Sequence, residues 1–169
     1  MKSVYLAGPE VFYPEAQQHG RRMQAVCSQW GFEGLFPLDA EISATPRGQS
    51  LAIYQANRAL MARADAVVAN LRDFRGFEPD SGTVWEVAYA LARGKPVVGY
   101  CPTAATIQER LNASAHGRLF DADCAVENFG LPLNLMLAHS LTAIAYGGET
   151  HFDGLKAALA QLQVIFAAQ

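Results

Sequence analysis

Five short, nearly continuous apolar runs, separated by stretches of helical periodicity, limit what this chain can fold into more than any other feature. They cover residues 3–7, 34–37, 65–71, 96–101 and 142–146. A strand covered on both faces reads this way, because neither side of its pleat meets water. Residues 15–30 are amphipathic and stop at Gly31, a residue suited to the left-handed position after a helix. Residues 49–63 bring Leu51, Ile53, Tyr54, Leu60 and Met61 near one face, and residues 83–93 end at the stop signal Gly94-Lys95-Pro96. A last helix is expected over residues 152–168, where Leu155, Leu159, Leu162 and Phe166 recur on one side. The alternation predicts an α/β fold, a flavodoxin-like doubly wound five-stranded parallel sheet with strand order 2-1-3-4-5. Residues 112–133 are the least regular and read as an extended connection. A length of 169 residues fits a single domain over residues 1–169, enough to bury roughly 70% of the unfolded surface.

In that strand order the first strand has neighbours on both sides, so a crevice opens where the loops after strands one and three part. Those loops are Ala7-Gly8-Pro9-Glu10 and residues 72–81. Composition narrows what the crevice can hold. A net charge of −3, with no basic cluster larger than Arg21-Arg22, gives no footprint for nucleic acid. No apolar run approaches the roughly 20 residues that span a bilayer. The start goes directly into a strand-like run without signal-peptide architecture, so a cytoplasmic protein is expected. Cys27, Cys101 and Cys124 lack metal or redox spacing, as do His19, His116, His139 and His151. The dinucleotide fingerprint GxGxxG is absent too. Neither a metal nor another cofactor is expected.

Residues 74–86, FRGFEPDSGTVWE, carry the chemistry. Asp80 and Glu86 stand six residues apart, around the point where Ser81-Gly82 turns a loop into a helix. Glu86 is crowded by Val84, Trp85, Val87, Ala88 and Tyr89, and a carboxylate among apolar neighbours needs a partner or a task. One reading is a partly buried nucleophile kept ionised by hydrogen bonds, as in retaining glycosyl transfer. The other is a solvated helix glutamate paired with Arg93. Asp80 is a natural helix cap, with a second oxygen left for a ligand hydroxyl, and Gly82 lets a ligand approach the backbone. A negative side chain there repels phosphate. The Tyr5 hydroxyl needs a partner, for which Glu86 is a candidate across the switch point. Asn57 reads as solvent-facing, Asn70 as a turn former, Asn134 as a cap and Met136 as core. Arg75 and Glu78 read as an ion pair bracing the loop.

Several segments together resemble one family. VYLAGP at residues 4–9, FRGFEPDSGT at 74–83, Glu86, and GLPLNLML at 130–137 look like nucleoside 2-deoxyribosyltransferases, in the same order over most of the chain. The likeness is to the subgroup carrying FRGxEPDxGT. It implies that Glu86 attacks the anomeric carbon of a 2′-deoxynucleoside, giving a covalent deoxyribosyl-enzyme that a second nucleobase opens with net retention. Tyr5 would orient Glu86, and Asp80, with Gly8, Ser81 and Gly82 nearby, would hold the sugar. Glu41 and Asn57 match positions near the base, where some members have Asp for Asn57. Since Asn carries no acidic proton, water or Glu41 is left to protonate the leaving base. The resemblance also implies a homo-oligomer that supplies Asn134 and Met136 to a neighbouring subunit's site. Trp85, Phe77 and Met136 are available to keep that site dry and stack the base. The partners are then a 2′-deoxynucleoside and a free nucleobase, with a role in nucleoside salvage. Two rival readings are an N-glycoside hydrolase of 2′-deoxynucleosides or their 5′-monophosphates, and a non-catalytic nucleotide-binding module.

Overall fold

A computed structural model describes residues 1–39, 45–114, 125–148 and 150–168. Its sheet contains β1 (Lys2–Ala7), β2 (Phe32–Leu35), β3 (Ala66–Asn70), β4 (Val97–Cys101) and β5 (Ala143–Tyr146). All pairings are parallel, in the order β2-β1-β3-β4-β5, with Tyr5 level with Leu35 on one side and Val67 on the other. Each of the five apolar runs overlaps one strand, but β2 begins two residues before the run at 34–37 and ends before Phe36-Pro37.

The helices are α1 (Ala16–Gln29), α2 (Pro46–Arg63), α3 (Ser81–Ala92), α4 (Ile107–Ala113), α5 (Leu135–Ser140) and α6 (His151–Ala167), with a short 3-10 turn at Pro9–Phe12. Strand side chains alternate between two cores. Val4, Leu6, Val68, Val98 and Tyr100 pack with Met23 and Cys27 of α1 and Leu155, Leu159 and Leu162 of α6. Tyr5, Ala7, Val67, Ala69 and Val97 pack on the other face with Met61 of α2, Val87 and Ala90 of α3, and Leu137 of α5. This two-sided burial is why the central strands β1, β3 and β4 read as apolar runs, whereas the edge strands β2 and β5 are only partly buried.

Helix ends follow local chemistry. After α1 the chain turns through Gly31 at φ 79°, a left-handed conformation that glycine enters without a Cβ penalty. α2 starts earlier than the periodicity suggests, because Thr45-Pro46 places a proline at the first helical position. Leu51 and Tyr54, expected on its buried face, are 58% and 43% exposed, whereas Met61 is fully buried. Two helices fall within or beside the stretch read as an extended connection. α4 opens with a capping box between Thr106 and Glu109, and α5 is only six residues long. Of the cysteines, Cys27 and Cys101 are buried free thiols, and Cys124 lies outside the described residues. No described helix is long and apolar enough to cross a membrane.

Candidate active site

Strand order sets the site. α3 follows β3 and returns over the face of the sheet that carries Tyr5, so residues 81 apart in sequence meet. The Tyr5 hydroxyl donates to Glu86 Oε1 at 2.5 Å. Tyr5 is fully buried, and burial with the adjacent Glu86 charge pushes its phenol far above the ordinary range, so it acts as a neutral donor.

Glu86 is half-buried on α3, and desolvation pushes its carboxyl up from 4.5 to about 7. The Tyr5 hydrogen bond opposes that rise and the nearby Asp80 charge adds to it. The sequence reading of a carboxylate held ionised by hydrogen bonds therefore needs amending. One phenol donor does not outweigh burial, and near neutral pH the group is poised between its two forms. Its partner is Tyr5, which answers the alternative pairing with Arg93.

Asp80 is the N-cap of α3. Its Oδ2 accepts from the Thr83 backbone N–H at 2.9 Å and from the Thr83 hydroxyl at 3.1 Å. Oδ1 receives no hydrogen bond among the described residues. A Cβ on Gly82 would lie 3.0 Å from Asp80 Oδ2 and crowd this cap.

These groups border a cavity of about 330 Å³, within the size range of small-molecule sites. Glu86, Asp80 and Asn57 are its polar lining, Gly8 and Gly82 bring backbone to its surface, and Val11, Phe12, Pro37, Leu38 and Ile53 form an apolar wall. Asn57 Oδ1 is buried without a hydrogen-bond partner among the described residues, leaving an acceptor for a ligand. A carboxylate beside an apolar wall, a second carboxylate with an open oxygen and an unpaired amide suit a ligand with hydroxyls, a flat ring and an electrophilic centre.

Other sequence candidates lie elsewhere. Ser81 sits exposed in the first turn of α3. Asn134 caps α5 through Met136 N at 3.0 Å and donates to Glu127 Oε1 at 2.6 Å. Asn134 and Met136 border a separate apolar groove of about 450 Å³ against Val84, Val87 and Leu91 of α3. Met136, read from the residues alone as core, is 73% exposed. Glu41 lies outside the described residues. Trp85 and Phe77 do not line this cavity: Trp85 stacks on Tyr89 at 5.2 Å and is 43% exposed. The wall comes instead from Val11 and Phe12 of the 3-10 turn after β1, Pro37 and Leu38 after β2, and Ile53 of α2, and no sequence signal separates them from core residues. Arg75 does not pair with Glu78 but stacks over Phe12 and Phe74, 5.2 and 4.7 Å from their ring centres.

Tyr5→Phe tests the electrostatics of the pair. Losing a donor to the ionised carboxylate should move Glu86 further above its present value of about 7. The acidic limb of any Glu86-dependent activity should shift to higher pH, with turnover at neutral pH down about tenfold. An unmoved limb would show that the hydroxyl does not tune Glu86.

The profile of the nucleoside 2-deoxyribosyltransferase family matches residues 4–136. Among solved structures, a 2-desoxiribosyltransferase from Leishmania mexicana is 31% identical, with 96% of this chain and 97% of that chain covered and a TM-score of 0.72. A 2-deoxyribosyltransferase from Bacillus psychrosaccharolyticus has the same fold at 20% identity, with 91% and 90% coverage and a TM-score of 0.56. An uncharacterized protein of Schizosaccharomyces pombe is 33% identical over 115 residues, covering 65% of this chain and about half, 54%, of that relative's length. The profile match spans both halves of the site, from the strand bearing Tyr5 through the helix bearing Glu86, and the chain belongs to the nucleoside 2-deoxyribosyltransferase family.

Proposed function

We propose that the protein transfers 2-deoxyribose from a 2′-deoxynucleoside to a second nucleobase, serving nucleoside salvage. The observation that carries this reading is the 2.5 Å contact from Tyr5 to Glu86 at the edge of the cavity shared with Asp80. Glu86 Oε1 is engaged by Tyr5, so Oε2 is the attacking atom. It bonds to C1′ as the C1′–N glycosidic bond breaks, and the bond electrons leave on the base nitrogen, which takes a proton from water or Glu41. A nitrogen of the second base then attacks C1′, expels Glu86 and loses its proton. Two inversions give net retention. The ionised form of Glu86 stabilises positive charge at C1′, and Asp80 Oδ1 accepts a sugar hydroxyl. Asn57 meets the base edge along the apolar wall.

The site favours a nucleoside over its 5′-monophosphate. Asp80 already supplies a negative charge at the start of α3, where a phosphate would otherwise be drawn. Asn134 and Met136, which border a groove outside their own chain's cavity, serve a neighbouring subunit's site in a homo-oligomer.

Incubating the protein with a 2′-deoxynucleoside and a different free base, then separating the products, tests the reaction. The exchanged nucleoside is expected. Free deoxyribose alone would assign a hydrolase, and no product across a broad panel would remove the enzymatic reading. Mixed oligomers of inactive Glu86 and Asn134 variants should recover activity. Absence of recovery despite verified subunit exchange would reject the shared site.

A further inference from the structure

Glu10 is a carboxylate that the reaction above leaves unused, although only 1% of it is exposed. It follows β1 in the 3-10 turn and is gripped from the two neighbouring strands on the far side of the switch point. Asn70 Nδ2, at the end of β3, donates to Glu10 Oε1 at 2.5 Å, and the Tyr100 hydroxyl of β4 donates to the same oxygen at 3.3 Å. Burial pushes the carboxyl above its ordinary value against both hydrogen bonds and the Arg72 charge. Keeping such a group inside a fold costs free energy that an apolar side chain would not.

The second oxygen faces Gly8. A Cβ on Gly8 would lie 2.0 Å from Glu10 Oε2 and 3.0 Å from Asn70 Cβ. Gly8 has φ 166°, extended backbone open to any residue, so the carboxylate behind it, and not its conformation, demands glycine. Gly8 also lines the cavity with Glu86, three residues after Tyr5 on the same stretch of chain. One short segment therefore bears both the donor that orients Glu86 and a wall of its cavity.

We propose that Glu10 is a positioning residue for the deoxyribosyl site. Clamped by Asn70 and Tyr100, it fixes the Gly8 wall against which the sugar rests as Glu86 attacks. The role rests on the transferase reading. Attack on C1′ requires the reacting atoms about 3–3.5 Å apart, and displacing a substrate by about 1 Å costs roughly a hundredfold in rate. Without the Glu10 side chain a void opens behind Gly8, and the Asn70 amide and Tyr100 hydroxyl lose their shared acceptor.

The full-length protein is compared with Glu10→Ala, Glu10→Gln, Gly8→Ala and the Gly8→Ala/Glu10→Ala double variant, measuring kcat and KM for exchange together with Tm. Glu10→Ala should lower kcat at least about tenfold while KM moves less than about threefold. Glu10→Gln retains the volume and an oxygen that accepts both hydrogen bonds, so its kcat should lie within about threefold of wild type. The Tm loss from Gly8→Ala should be smaller in the Glu10→Ala background, where the new methyl has room. A Glu10→Ala protein with kcat within about twofold of wild type would overturn the positioning role whatever its Tm. So would a Glu10→Gln protein as impaired as Glu10→Ala, and additive Tm losses would reject the Glu10–Gly8 contact. A wild type without exchange rejects the transferase reading, whereas normal exchange beside a fully active Glu10→Ala rejects this inference alone.

Discussion

Glu86→Gln should lower deoxyribosyl exchange at least about 10⁴-fold and at the same time make the protein more stable in alkaline solution. The amide keeps the shape of the side chain and an oxygen that accepts the Tyr5 hydroxyl, but it does not form the glycosyl ester. The stability gain follows from linkage. Folding raises the Glu86 carboxyl from 4.5 to about 7, so between these values the folded state holds a proton that the unfolded state has released. Stability therefore falls as pH rises through that window, and above it the whole penalty of a half-buried charge is present. At about pH 8 that penalty is on the order of 3 kcal/mol, and by about pH 4 it has nearly vanished. Denaturant unfolding of both proteins at the two pH values should show the variant ahead only in alkaline solution. An equal difference at both pH values would mean that Glu86 is not held near neutrality. Retained wild-type exchange would remove it as the nucleophile.

The same tension between solvation and chemistry explains which parts of the site could be read from sequence. Glu86 was visible because a lone acid among Val84, Trp85 and Val87 breaks an otherwise apolar helix. The parallel sheet is legible from apolar runs alternating with helical periodicity, and the crevice from the flavodoxin-like path of the connections between them. Val11, Phe12, Leu38 and Ile53 are not marked as cavity lining because an apolar residue looks the same in sequence whether it faces a core or a cavity. Glu10 and Asn70 lie 60 residues apart, and nothing in either local segment signals that a buried acid will meet an amide. α5 has too few turns for periodicity to declare it, and its cap at Asn134 was the readable part. Trp85 failed in the opposite direction. Its size suggested a ring for stacking a base, but a helix next to a sheet has an outer face, and Trp85 lies there with Tyr89 and Tyr54.

Arg110→Ala should cost about 3 kcal/mol of stability and raise KM for the deoxynucleoside, although Arg110 does not line the cavity. Its guanidinium bonds Asp73 through Nε at 3.2 Å, the Ala105 and Pro132 carbonyls at 2.7 and 2.9 Å, and the Phe77 carbonyl at 3.1 Å. A second contact to Asp73, at 3.1 Å, completes a fork on a side chain only 14% exposed. Four segments are thus joined at one planar group, among them the loop entering α3 three residues before Asp80 and the turn two residues before Asn134. Truncation leaves three carbonyls and a carboxylate without their donor, a larger loss than the deletion of an exposed ion pair. Lysine carries the charge on a single nitrogen and does not reproduce the fork, so Arg110→Lys should recover less than about half of the lost stability. Because Glu86 is held by Tyr5 and not by this loop, kcat should fall much less than kcat/KM. Steady-state kinetics beside thermal unfolding separate the two effects. A destabilised Arg110→Ala protein with unchanged KM would show that Asp80 keeps its position without the clamp.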